Sequence, residues 1–150
     1  MRLSKLKLDK KFRPCSAEAG DELFPNGIFE FNISRLLSFI QADADRFPVA
    51  PVELTDIPDY GDAGLDEKAI CTADLSRPIL LAEIAPGRYN VIDGQHRITK
   101  ARREGARSVA GHRLRCPEHV PFLTSTRASQ KYVEYWNSKV EEATRGIRCT

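Results

Sequence analysis

Residues 89–105, YNVIDGQHRITKARREG, restrict the fold of this chain more than any other stretch. Residues 89–92 have the β-branched and aromatic make-up of a strand, Asp93-Gly94 is a turn dipeptide, and residues 95–104 are helix formers with Ile98 and Ala101 on one face. Gly105 supplies a left-handed stop. A strand therefore runs through one glycine into a helix whose first turn carries His96 and Arg97. A helix starts with unpaired N–H groups and the positive end of its dipole, so cationic side chains there are unfavourable by about 0.3–1 kcal/mol each when exposed. An anion between them reverses the sign. Backbone N–H groups, an arginine fork and an imidazole converging on one point make a phosphate site, which Gly94 lets the backbone approach closely. The plainer reading is that Asp93 caps the helix, Gly94 makes the turn and Arg97 is solvated.

At 150 residues, 41% hydrophobic and 29% charged, the chain suits one packed domain and does not read as disordered or fibrous. The net charge of +2 exerts no bulk pull on nucleic acid or a membrane surface. That sum hides a segregation: residues 41–85 carry ten acidic and three basic side chains, and residues 86–116 carry two acidic and eight basic ones. Cys15, Cys71, Cys116 and Cys149 are far apart and form no C-x-x-C pair, so reduced thiols are expected. Charges interrupt every apolar run of residues 1–11, and no later run approaches a membrane span. The expectation is a soluble, cytoplasmic protein without membrane association.

Three segments of one structural domain follow from the pattern: an N-terminal arm and helix (1–46), a core (47–116) and a C-terminal helical extension (117–150). Residues 1–31 are expected to be irregular, punctuated by Pro14, Gly20, Pro25 and Gly27. Asn32 then caps a helix with Ile33, Leu36, Leu37 and Ile40 on its inner face, and Pro48 closes that segment. Residues 49–54 read as a short strand, the acidic stretch 56–62 as a loop and 65–71 as a brief helix. Residues 79–84 and 89–92 form a hairpin about Pro86-Gly87, and 108–114 a further strand. Tyr132, Val133, Trp136 and Val140 recur at helical spacing behind Thr126 and Ser129. The fold class is α/β (mixed α+β), a small mixed sheet flanked by helices.

The motif Asp93-Gly94-Gln95-His96-Arg97 after a β-run, with Ala101 and Gly105 behind it and a strand beyond, resembles the ParB/sulfiredoxin-like superfamily. Asp74-Leu-Ser-Arg-Pro78, leading into the preceding strand, is similar too, and the likeness covers about residues 47–115. It implies a small domain whose Gly-x-His/Arg-Arg turn grips a nucleotide phosphate, here through Gly94, Gln95, His96, Arg97 and Lys100. Members include partition proteins, nucleases, free-serine kinases and sulfiredoxins. Gln95 stands where sulfiredoxins have their cysteine, which speaks against sulfinic-acid reduction. The 34 residues after Cys116 are too few for the second phosphate motif and helix-turn-helix domain of partition proteins. The serine-kinase branch shares Asp-Gly-x-His-Arg, which implies Asp93 as base and Glu53 as the assisting glutamate. The implied cofactors are ATP or another nucleotide and Mg²⁺ shared by phosphate and carboxylate.

Other constellations have two readings each. Arg103 and Arg107, with the rest of the basic stretch at 97–115, are candidates for a nucleic-acid backbone or for a solvated surface. His112, Cys116 and His119 form H-x₃-C-x₂-H, which matches no finger spacing and is assigned no metal. The acidic loop Asp56, Asp59, Asp62, Asp66 and Glu67 lacks calcium-loop spacing. Tyr132 and Trp136 are core anchors, or face a protein partner or second copy of the chain. Three functions stand: a nucleotide-binding phosphotransferase or NTPase, a DNA-binding or nuclease-like module, and a silent regulator whose pocket receives a partner's acidic loop.

Overall fold

The computed structural model describes residues 4–26, 29–59, 61 and 63–148. Contrary to the expectation of an irregular N-terminal segment, β1 (Leu23–Asn26) and β2 (Phe29–Asn32) pair antiparallel directly ahead of α1 (Ile33–Ala42). Phe29 and Phe31 alternate with Glu30, and burial of the Phe31 ring outweighs the turn signals on which that expectation rested. Asn32 caps α1 as expected, accepting the Arg35 N–H at 3.1 Å.

Beyond α1 come β3 (Ala50–Glu53), a tight turn at Leu54–Asp56, and α2 (Glu67–Thr72), capped by Asp66. The hairpin of β4 (Ile79–Ala85) and β5 (Arg88–Asp93) leads into α3 (Gln95–Arg103), β6 (Ser108–Leu114) and α4 (Thr126–Arg148). The main sheet has the order β3-β6-β4-β5. Within it β4 runs parallel to β6, while β3 and β5 are antiparallel to their neighbours. The fold is thus mixed α and β, with helices on both faces of the sheet.

Strand alternation gives that sheet two different faces. Leu80, Ala82, Ile92 and Leu114 pack with α1 and with Tyr132, Trp136 and Val140 of α4. Val52, Ile79, Leu81, Val91 and Val109 meet Ile98 and Ala101 of α3. The first face is sealed further by the N-terminal arm. Tyr132 donates its hydroxyl to the Glu83 carbonyl (2.6 Å), and Trp136 donates its indole N–H to the Ser4 carbonyl (2.9 Å). Asn137 brackets Leu6, accepting its N–H at 2.7 Å and donating to its carbonyl at 3.0 Å. The C-terminal aromatics therefore anchor the chain's own core and arm. Among the described residues no helix is long and apolar enough to cross a membrane.

The charge segregation of the sequence is resolved by folding. Arg102 reaches Asp59, Arg103 grips Glu67 with two bonds of 2.7 and 3.0 Å, and Arg107 meets Glu53 at 3.1 Å. The solvent-facing pairs contribute about 0–1 kcal/mol each. Arg102 contributes more, since it also donates to the carbonyls of Leu54 (3.1 Å) and Ile57 (2.6 Å) and so ties down the turn after β3.

His119 is fully buried between Phe31 and Tyr132, and neither ring nitrogen has a hydrogen-bond partner among the described residues. Burial pushes its pKa from 6.5 down to about 4, and the nearby backbone of Glu83 and Arg115 opposes only part of that. Between those two values the unfolded chain takes up a proton that the folded chain refuses, so stability falls as pH falls. The loss reaches on the order of 3 kcal/mol by pH 4. Urea unfolding of wild type and His119→Phe between pH 7 and 4.5 is expected to give a clearly shallower pH dependence in the variant; parallel curves would refute this role.

Candidate anion site at the start of α3

The site is built around a backbone conformation that a side chain does not tolerate. Gly94 has φ of +115°, and a Cβ there would collide with the side chain of Ile79 and lie 3.4 Å from Nη2 of Arg97. It stands at the N-cap of α3, and no side chain caps the helix. The first helical bond is the Ile98 N–H to the Gly94 carbonyl at 2.9 Å. The N–H groups of Gln95, His96 and Arg97 precede that bond, leaving a positive helix end open for a ligand.

Asp93 does not cap the helix. Its Oδ2 accepts from Nη2 of Arg97 at 3.0 Å, and its Oδ1 carries no hydrogen bond among the described residues. Arg97 is only 8% exposed rather than solvated. Its Nη1 donates to the backbone carbonyls of Arg77 (3.2 Å) and Pro78 (2.7 Å). The arginine fork is thus spent on the protein's own atoms. It clasps the end of β5, the first turn of α3 and the residues that lead into β4.

A cleft of about 220 Å³ opens against this turn, lined among others by Glu22, Asp74, Arg77, Asp93, His96 and Arg97. His96 accepts the Asp66 N–H on Nε2 at 3.4 Å, an arrangement that assigns the ring proton to Nδ1. The Ser76 hydroxyl (2.6 Å) and N–H (2.9 Å) hold the Asp74 carboxyl below the usual aspartate range. Arg77, Asp74 and Glu22 were not predicted as site residues. The first two lie in the stretch read only as a lead into the strand, and Glu22 arrives from the N-terminal segment, where no motif marks it.

The other predicted residues are placed elsewhere. Lys100 turns away and donates to the Ala73 carbonyl at 2.9 Å, and neither it nor Gln95 lines the cleft. Glu53 sits on β3 and Asp93 on β5, the opposite edges of the sheet, three strand spacings of about 4.8 Å apart sideways and offset along the strands as well. Strand order keeps these two carboxylates apart, and Glu53 pairs instead with Arg107. Arg103 and Arg107 are likewise engaged by glutamates rather than presented as a pair of cations. His112 bonds the Phe47 carbonyl at 3.0 Å and His119 lies in the core, and among the described residues no three His, Cys, Asp or Glu side chains converge on a metal position.

Comparison with protein-family models, curated proteins and solved structures yields no match for this chain.

Removing one member of a buried ion pair strands the other, at a cost of about 3 kcal/mol. Arg97→Ala is expected to lose that much stability in urea unfolding, while Gln95→Ala stays within about 0.5 kcal/mol of wild type. An unchanged midpoint for Arg97→Ala would contradict the clasp.

Proposed function

We propose that the cleft binds the phosphate end of a nucleotide and that the protein is a nucleotide-dependent phosphotransferase or NTPase. The observation that carries this reading is the uncapped start of α3, three consecutive N–H groups behind a left-handed glycine, opening on a cleft that also holds Arg77 and His96. The likeness of residues 93–97 to the ParB/sulfiredoxin-like turn supplies the ligand class. A volume of 220 Å³ suits phosphate groups, so the base and ribose lie outside it.

In this reading the roles differ from the sequence expectation. The phosphate is held by the backbone N–H groups with the side chains of Arg77 and His96. Arg97 is a positioning residue that fixes Asp93, whose Oδ1 carries no hydrogen bond among the described residues. In this reading the carboxylate orients an attacking hydroxyl or water, and catalysis consists mainly of placement and charge neutralisation. Mg²⁺ fits only as a shared ion, held by phosphate oxygens, water and Asp93, since the chain offers no cage of three acidic ligands among the described residues. The assisting carboxylate is Asp74 on the cleft wall rather than Glu53.

Calorimetric titration with ATP, CTP and their diphosphates in Mg²⁺ tests the reading. Arg77→Ala with His96→Ala is expected to weaken binding more than tenfold, each charge-assisted bond contributing about 1.5–3 kcal/mol. Asp93→Asn is expected to retain binding and lose turnover. A wild-type protein that binds none of these nucleotides, or a double variant of equal affinity, would overturn it.

A further inference from the structure

On the second face of the sheet α3 seats Ile98 and Ala101 against Val52, Ile79, Leu81, Val91 and Val109. Beside that packed patch the surface is indented around Tyr89 and Arg113. There Val91, Leu81 and Arg113 stand side by side on β5, β4 and β6, since Leu81 pairs with both of the others. Two adjoining hollows lie over this row, of about 300 and 560 Å³, and both are lined by Tyr89 and Arg113. The deeper one reaches the edges of the buried Val52, Leu81 and Val91 and is walled by Ile57, Pro58 and Tyr89. The shallower one runs past Arg115 towards Phe47 and Arg46.

The arginines divide sharply here. Those of α3 and the following turn are consumed by carboxylates and carbonyls. Arg113 is exposed and makes no hydrogen bond or ion pair among the described residues, and Arg115 is exposed beside the Tyr89 phenol. Burial raises the pKa of that phenol, and its ring lines both hollows. Two acidic side chains share the lining. Glu118 is neutralised by Arg46 at 3.2 Å, and Asp56 lies at the deep end, where a carboxylate can accept from the amino group of a base.

We infer that this groove binds a single strand of nucleic acid, stacking a base on Tyr89 beside Pro58 and laying the backbone along Arg113 and Arg115. An aromatic ring beside exposed guanidinium groups is the combination that unpaired strands need. A length of two joined hollows exceeds what one mononucleotide fills. The groove shares no lining residue with the α3 cleft, so it is independent of the phosphate reading made there.

The test is fluorescence anisotropy with labelled twelve-nucleotide DNA and RNA strands. Binding of either is expected at 50 mM salt, falling about tenfold by 200 mM salt, as two or three released phosphate counterions require. Arg113→Glu with Arg115→Glu is expected to weaken it more than tenfold and Tyr89→Ala several-fold, with folding checked by circular dichroism. Arg107→Glu, outside the groove, stays within twofold of wild type. Absence of binding to both strands at low salt overturns the inference. So does equal affinity for the blunt duplex, equal competition by a mononucleotide or a polyglutamate peptide, or an undiminished Arg113→Glu, Arg115→Glu variant.

Discussion

The start of α3 depends on one buried ion pair. Arg97 joins the Asp93 carboxylate to the carbonyls of Arg77 and Pro78, and so fixes strand, helix and incoming loop to one another. Charges removed from water seldom add net stability over an apolar replacement, so the value of such a pair lies in where it holds things. Here it holds a carboxylate at the mouth of a cleft and a helix end that has no cap. The requirement for glycine at position 94 follows from the same closeness, because Ile79 and the Arg97 guanidinium occupy the space a Cβ would need.

The charge distribution takes on a different meaning once folded. Consecutive acidic and basic blocks suggest a basic surface in search of an anionic partner, yet the acidic block is that partner for three of its arginines. Asp59, Glu67 and Glu53 meet Arg102, Arg103 and Arg107 in turn. Among those left over, Arg113 on β6 and Arg115 just beyond its end stand together beside one hollow. Whole-chain charge could not locate them, since the distinction rests on which arginines find a glutamate across the fold.

The fold was legible where local chemistry and burial agree. The β4–β5 hairpin, α3 with its glycine boundaries, and α4 with its spacing of Tyr132, Trp136 and Val140 all follow from periodicity and turn residues. The β1–β2 hairpin was hidden because Pro25 sits within a strand that local propensity disfavours, and its support is the burial of Phe31. At the site the turn 93–97 was legible, but the partners of Arg97 were not. Two of them are backbone carbonyls, which leave no mark on side-chain identity. Glu53 was a plausible counterpart of Asp93 in sequence alone, and strand order separates them, a property that depends on which strands choose to pair.

The strap of residues 4–6 along α4 also bears on the order of events during synthesis. Its bonds to Trp136 and Asn137 span more than 130 residues, and Cys15 and Glu30 likewise reach Leu123 and Thr124 through the backbone. The strand-helix-strand unit from β4 to β6 closes with neighbours near in sequence. It can therefore assemble while α4 is still unmade. Until then Leu80, Ala82, Ile92 and Leu114 lack their α4 cover, so a nascent chain carries an apolar face that is completed late, and chaperone dependence should peak in that interval.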